Sequence, residues 1–210
     1  MAESEQELQD LVDEVYHKSN QYGLDMNIQK TKTMIIGKIL DKPAIKIQIN
    51  GRLLEHVKSY VYLGQTITED GKCDTEIRKR IGDWYENTDV KSFTNMNSIL
   101  TSKQITNKLK MRIARCYVYS ILLYGSESWT LNKMMEDKIN AFEMWAYRRM
   151  GHISWKEKKT NKAVLEKLGM KQDLLNEVKT RQLKYFGHIK RHDSLLKNIL
   201  EGRVEGKHSK

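Results

Sequence analysis

Tyr22-Gly-Leu-Asp-Met-Asn-Ile-Gln-Lys-Thr-Lys32 and, further on, Tyr60-Val-Tyr-Leu-Gly64 decide how this chain is read. The first run closes a helix and turns toward a strand. Upstream of it, Leu8, Leu11, Val12, Val15 and Ser19 recur at spacings of three and four, which predicts an amphipathic helix from Ser4 to Tyr22. Ser4 followed by Glu7 is a capping-box pattern, and Gly23 fits the left-handed position that ends a helix. Asn27 suits a cap on a short turn before the apolar strand Thr33-Met-Ile-Ile36. The second run is β-rich and closed by a glycine. Between the two, Ile45-Lys-Ile-Gln-Ile49 alternates with period two, and Asn50-Gly51 is the favoured two-residue hairpin turn. Val57 to Ile67 reads as a further strand pair or one long strand. Residues 31–67 are therefore small-sheet material joined by hairpins rather than parallel crossovers.

From Asp70 the period changes to that of helices. They are expected near 73–99 with a break around Asn87, and over 102–124, 132–150, 160–168, 173–191 and 194–201. Thr101 or Ser102 can cap the second and Asn132 the third; Thr160 and Gly169 frame the fourth. The polar tail from Gly202 is expected to fray. The fold class that results is α+β: a small antiparallel sheet with one flanking helix, followed by an all-helical basic region.

Charge divides the chain in the same way. Residues 1–100 carry 13 Lys and Arg against 16 Asp and Glu, a net of −3; residues 101–210 carry 24 against 11, a net of +13. A phosphate polymer is the natural partner of the second half, and a solvated lysine surface is the alternative. With 210 residues, 39% apolar composition and a single proline at Pro43, the chain can build a core and is not of disordered composition. No apolar run reaches the ~18 residues of a membrane span, and no secretory signal is expected at the start, where Glu3, Glu5 and Glu7 replace the basic start and apolar core. Cys73 and Cys116, without a CxxC pair, read as free thiols of a reducing, intracellular compartment. Lys156-Glu-Lys-Lys159 is too short to choose between nucleus and cytoplasm.

The two opening runs, in this order, resemble the last palm motifs of the reverse transcriptases of non-LTR (LINE-type) retrotransposons, where a GLxxNxxKT segment precedes a YLG hairpin that grips the primer end. Further strings extend the resemblance to about residues 2–206. They are Tyr117-Val-Tyr-Ser-Ile-Leu-Leu-Tyr-Gly-Ser-Glu-Ser-Trp-Thr-Leu131, Ala141-Phe-Glu-Met-Trp-Ala-Tyr-Arg-Arg-Met150, Ile153-Ser-Trp155 and Tyr185-Phe-Gly-His-Ile189. One departure is Gly82 to Val90, where the family usually has small, helix-favouring residues. The resemblance implies four parts: a trailing palm edge over 1–69, thumb-like helices over 70–131, a basic helical region over 132–201 and the tail 202–210. It also implies that the Tyr-Ala-Asp-Asp turn, whose aspartates hold Mg2+ in intact members, lies just upstream of the segment matching Ala2–Leu8.

Phosphoryl transfer to a primer end needs two metal ions held by carboxylates at adjacent strand ends. Asp10, Asp13 and Glu14 have the spacing of a solvated helix face, and Asp25 and Asp41 are isolated, so no catalytic or metal-binding residue is expected. By resemblance, Lys30 and Lys32 stand near the incoming nucleotide's phosphates, and Tyr62, Leu63 and Gly64 form the primer-grip-like hairpin. Arg148, Arg149, Trp155, Lys156, Lys158 and Lys159 make one basic-aromatic patch. Lys179, Arg181, Lys184, Lys190 and Arg191 make a second along one helix. The aromatics of 139–146 read as core at helical spacing. His188 and His192 lie four apart as in zinc helices, but no cysteine or acid pair completes a ligand set.

The expectation is a truncated RNA-directed DNA polymerase fragment that holds primer-template duplex or element RNA weakly but does not extend it. Two alternatives stand beside it: a relic without a partner, and a protein-interaction module using the Leu8, Leu11, Val12 and Val15 face.

Overall fold

The computed structural model describes residues 2–37, 43, 45–85 and 92–202. They divide into two units, Met1–Thr75 and Glu76–Lys210.

In the first unit, helix α1 (Glu5–Gln21) begins where Ser4 Oγ accepts from Glu7 N (3.2 Å) and Glu7 Oε2 accepts from Glu3 N (2.9 Å). It ends in a Schellman turn: Gly23, at φ +70°, donates to Asn20 O, and Leu24 N reaches back to Ser19 O. Leu8, Val12 and Tyr16, one turn apart, pack on a small core of Ile47, Ile49 and Leu54, with Met26, Ile28 and Ile45 around it. Leu11 and Val15, expected on the same face, lie outside this contact and are exposed. Polar side chains also fix α1 to the strand beside it. Gln9 donates to Gln48 O and accepts from Gln48 N, both at 2.9 Å, so one amide satisfies a residue's whole backbone edge. Glu5 Oε1 likewise accepts from Lys46 N at 2.8 Å.

The strands are short and pair in twos. β2 (Gln48–Ile49) and β3 (Arg52–Leu53) form the expected hairpin, with Asn50 (φ +49°) and Gly51 (φ +72°) in its turn. β5 (Ser59–Tyr62) and β6 (Gln65–Thr68) form the second, in register Tyr62↔Gln65, so Val57–Ile67 is a strand pair and not one long strand. Two sequence expectations need correction. The strand foreseen over Thr33–Ile36 is only β1 (Lys32–Thr33), and its pairing with β4 (Glu55–His56) is parallel, not part of a hairpin. Asn27 holds this approach in place, accepting from Lys30 N through its side chain (3.0 Å) and from Thr31 N through its carbonyl. Of the Ile45–Ile49 run, only the last two residues are strand.

The second unit is helical among the described residues: α2 (Asp74–Tyr85, whose first two residues belong to the first unit), α3 (Ser92–Leu100), α4 (Asn107–Ile113), α5 (Ser120–Leu122), α6 (Lys133–Met150), α7 (Asn161–Leu168), α8 (Leu174–Arg191) and α9 (Leu195–Leu200). The break expected around Asn87, most of the Gly82–Val90 departure and the tail beyond Gly202 lie outside the described residues. The helix expected from 102 starts five residues later. Thr106 caps it through Leu109 N, while Ser102 Oγ accepts from Gln104 N in the preceding turn. Between α4 and α5 the chain widens into a π-helical segment, Ala114–Tyr119, and Ser120 Oγ returns to Cys116 O at 2.7 Å.

Helix α6 is the centre of this unit. Asn132 caps it through Met135 N, as the sequence indicated, and Met135, Ile139, Phe142, Ala146, Tyr147 and Met150 are buried along one stripe. Full burial of a side chain such as Phe142 contributes roughly 1.5–3 kcal/mol. Its C-terminus receives a buried cation: Lys110 Nζ donates to Met150 O at 2.9 Å, where the helix dipole favours positive charge. Gly151 follows because a Cβ there would stand 2.7 Å from Leu168 Cδ2. Thr160 and Gly169 (φ +63°) bound α7, and Ser194 caps α9.

Candidate nucleic-acid interface

Arg148 and Arg149 leave α6 in different directions. Arg148 is buried at 4% exposure; its guanidinium donates to Lys159 O (2.7 Å) and Asn161 Oδ1 (3.0 Å) and lies 4.6 Å from the centre of the Trp155 ring. It therefore pins the 155–161 loop and is withdrawn from any phosphate, contrary to the expectation for it. Arg149 is exposed, donates from Nε to Asn97 Oδ1 (3.0 Å) and stands over Trp145. The loop that Arg148 holds presents Trp155, Lys156 and Lys158 to solvent. Its form comes from a capping box, in which Ser154 and Glu157 each accept from the other's end of a single turn. Lys159 pairs with Glu157 at 2.5 Å, and this bond, with the Ser154 N–H, holds the Glu157 carboxyl below its ordinary value.

The cations of α8 do not form one stripe. Lys179 pairs with Glu136 (2.7 Å) and Lys190 with Glu201 (3.8 Å). Arg181 faces Glu177 (3.4 Å) and the Leu123 carbonyl (3.5 Å). Lys184 and Arg191, seven residues apart and so on one side, are exposed with no acidic partner among the described residues.

In the first unit, Lys32 is paired with Glu55 across the β1–β4 ladder, whereas Lys30 is exposed. Tyr62, Leu63 and Gly64 form the tip of the β5–β6 hairpin, with Leu63 (φ +48°) and Gly64 (φ +77°) as its two turn residues. Left-handed backbone at a leucine is uncommon, and this leucine is 72% exposed, so the tip projects an apolar side chain without packing it.

Two features escaped the sequence reading. The first is a groove of about 950 Å³, walled by α4, the π-segment and the 169–173 loop, and lined by Lys108, Arg112, Arg115 and Lys171 with Met111 and Met170. Its signal was present as cations at i, i+4 and i+7 from Lys108, obscured by Lys110, which turns inward. Arg115 reaches across to Asp173 at 3.2 Å, while Lys108, Arg112 and Lys171 have no acidic partner among the described residues. The second is Glu143, fully buried on the apolar stripe of α6, four residues from Ile139. Its carboxylate accepts from Asp173 N (2.9 Å), Leu174 N (3.1 Å) and the Tyr147 hydroxyl (2.8 Å), and so caps α8 from another helix. Burial raises its carboxyl above the ordinary range against these bonds, and it raises the Tyr119 and Tyr147 phenols as well.

The chain is similar to a transposon-derived protein of Caenorhabditis elegans, with 27% identity over 187 residues, 86% of this chain and 64% of that protein. The chain thus spans somewhat under two thirds of that relative's length. No family profile and no solved structure matches it. No described helix is long and apolar enough to cross a membrane.

Proposed function

We propose that this chain descends from a transposable element of the non-LTR retrotransposon class, corresponds to the palm edge, thumb and following helices of its reverse transcriptase, and holds nucleic acid without extending it. Similarity to a transposon-derived protein supports the origin; the finer lineage rests on the motif resemblance. The observation that carries the binding is the set of cations left without acidic partners in the Glu76–Lys210 unit: Lys108, Arg112, Lys171, Lys184 and Arg191. Such groups release condensed counterions from a phosphate backbone when they bind it. Lys156 and Lys158 beside Trp155 add a smaller patch.

Intact polymerases of this class hold Mg2+ on paired aspartates. Among the described residues, no group of three or more His, Cys, Asp or Glu side chains is placed to hold a metal ion; that this chain does not extend a primer rests on the motif resemblance. The reading is tested by a gel shift of the whole chain with duplex DNA and with single-stranded oligonucleotide, beside an incorporation assay on primer-template. Retardation without incorporation supports it. Templated incorporation by the pure chain refutes it, and so does failure to retard either nucleic acid.

A second reading has one observation in its favour. Leu11 and Val15 on α1, with Tyr22 and Leu24 after it, are exposed, as a protein-binding face would be. Loss of a defined partner on Leu11→Glu, with nucleic-acid binding unchanged, would select it.

A further inference from the structure

We infer that the groove between the α4–π segment and the 169–173 loop takes a single strand of nucleic acid in preference to duplex, with a base on its apolar floor and phosphates on its cationic rim. The inference rests on the proposed nucleic-acid binding and narrows it to one site and one strandedness.

The groove has two kinds of surface. Lys108, Arg112 and Lys171 are exposed at its rim, and Met111 and Met170 are half-buried within it. Purely electrostatic capture of a duplex needs only the rim, because paired bases are stacked inward and present phosphates and sugars. An unstacked base offers a flat, polarisable face, and thioether side chains are adaptable, polarisable partners for such a face. The groove opens to solvent at its rim, where Lys108, Arg112 and Lys171 are exposed, which suits a polymer that passes through it. From Lys108 to Arg115 the chain rises about 10 Å, so the cations on this wall are spread along the groove rather than gathered at one point.

The walls are held by contacts that do not need a ligand. Asp173, an acid at the rim, is neutralised by Arg115 at 3.2 Å. Glu143 and Tyr147 fix the 171–174 backbone from below, through Asp173 N, Leu174 N and Lys171 O. The π-segment gives the opposite wall a wider turn, a geometry that recurs at functional sites. The site is thus built before anything binds, which lowers the ordering cost of binding.

The test is fluorescence anisotropy of the whole chain with three labelled probes of equal length: oligo-dT, a duplex, and a strand of abasic sugars that keeps every phosphate. Oligo-dT is expected to bind up to about tenfold tighter than either other probe, the effect of seating one base against the thioethers. Lys108→Glu with Arg112→Glu, both exposed, should weaken oligo-dT about tenfold or more with helical circular dichroism unchanged, while Lys133→Glu changes it little. Equal affinity for the three probes overturns the inference even if every variant misfolds, because it is read on the natural chain. A duplex bound as tightly as oligo-dT leaves the proposed function standing and removes the groove's role. Absence of binding to any probe removes both.

Discussion

The two units solve the same burial problem at different scales. The Met1–Thr75 unit is acidic, and among its described residues the buried apolar core is Ile47, Ile49 and Leu54, with none of the residues of α1 fully buried. Its order depends on edge-satisfying side chains, Gln9 and Glu5, as much as on packing. The Glu76–Lys210 unit is cationic by 13 charges and buries a run of large side chains along α6. Even its buried polar groups, Glu143, Arg148 and Lys110, act as fasteners between segments. A strongly basic surface repels itself, and a deep, cross-braced core offsets that repulsion. The first unit carries little net charge and is built more lightly.

Phe142→Ala should break the second unit outright. Emptying a fully buried aromatic site costs about 3–5 kcal/mol, and urea denaturation followed by helical circular dichroism should show a large fall in midpoint. Glu143→Ala should come close behind. It strands the Asp173 and Leu174 N–H groups, at about 1–3 kcal/mol each when left unpaired, while the Tyr147 hydroxyl keeps the Lys171 carbonyl. Glu143→Gln sharpens the point through pH. Because burial raises this carboxyl in the folded chain, the fold keeps its proton to higher pH than the unfolded chain does. Its contribution is fully present below the ordinary value of 4.5 and is lost as pH rises through the folded value. The glutamine variant should lose that decline, as read from unfolding midpoints across the acid-to-neutral range.

Ile49→Ala, in the smaller core, should cost about 2–4 kcal/mol and act on the first unit alone. Amide hydrogen exchange should quicken through β2 and β3 and leave α6 untouched; equal quickening in α6 would erase the contrast between the units. The smallest effect is expected from Trp155→Ala. The ring is 69% exposed, and its removal forfeits a cation–π contact with Arg148 of about 0.5–1 kcal/mol.

Local signals survived the passage from sequence to structure where they were self-contained. Ser4, Asn132, Thr160, Gly23, Gly169 and the Asn50-Gly51 turn all act within a few residues of themselves, and each stands where the sequence indicated. The parallel β1–β4 pair was illegible because its partners are 23 residues apart and two residues long, too short for any period to show. Arg148 looked like a phosphate ligand because a charge at a helix end is ordinarily exposed. Its burial depends on a loop eleven residues away, folded back to supply carbonyl and amide acceptors. The groove was hidden differently. Lys108, Arg112 and Arg115 recur at helical spacing along α4 and the π-segment, but the opposing wall is the 169–173 loop, which no pattern in α4 could foretell.

The central claim is that the cationic unit grips a phosphate backbone, and the affinity of the whole chain for oligo-dT across a salt series tests it most directly. About five phosphate contacts predict a log–log slope near −3.5 on a single strand, and loss of Lys108 and Arg112 should make it shallower by about 1.4. A slope near zero, or no binding at about 50 mM salt where such contacts are strongest, would contradict it.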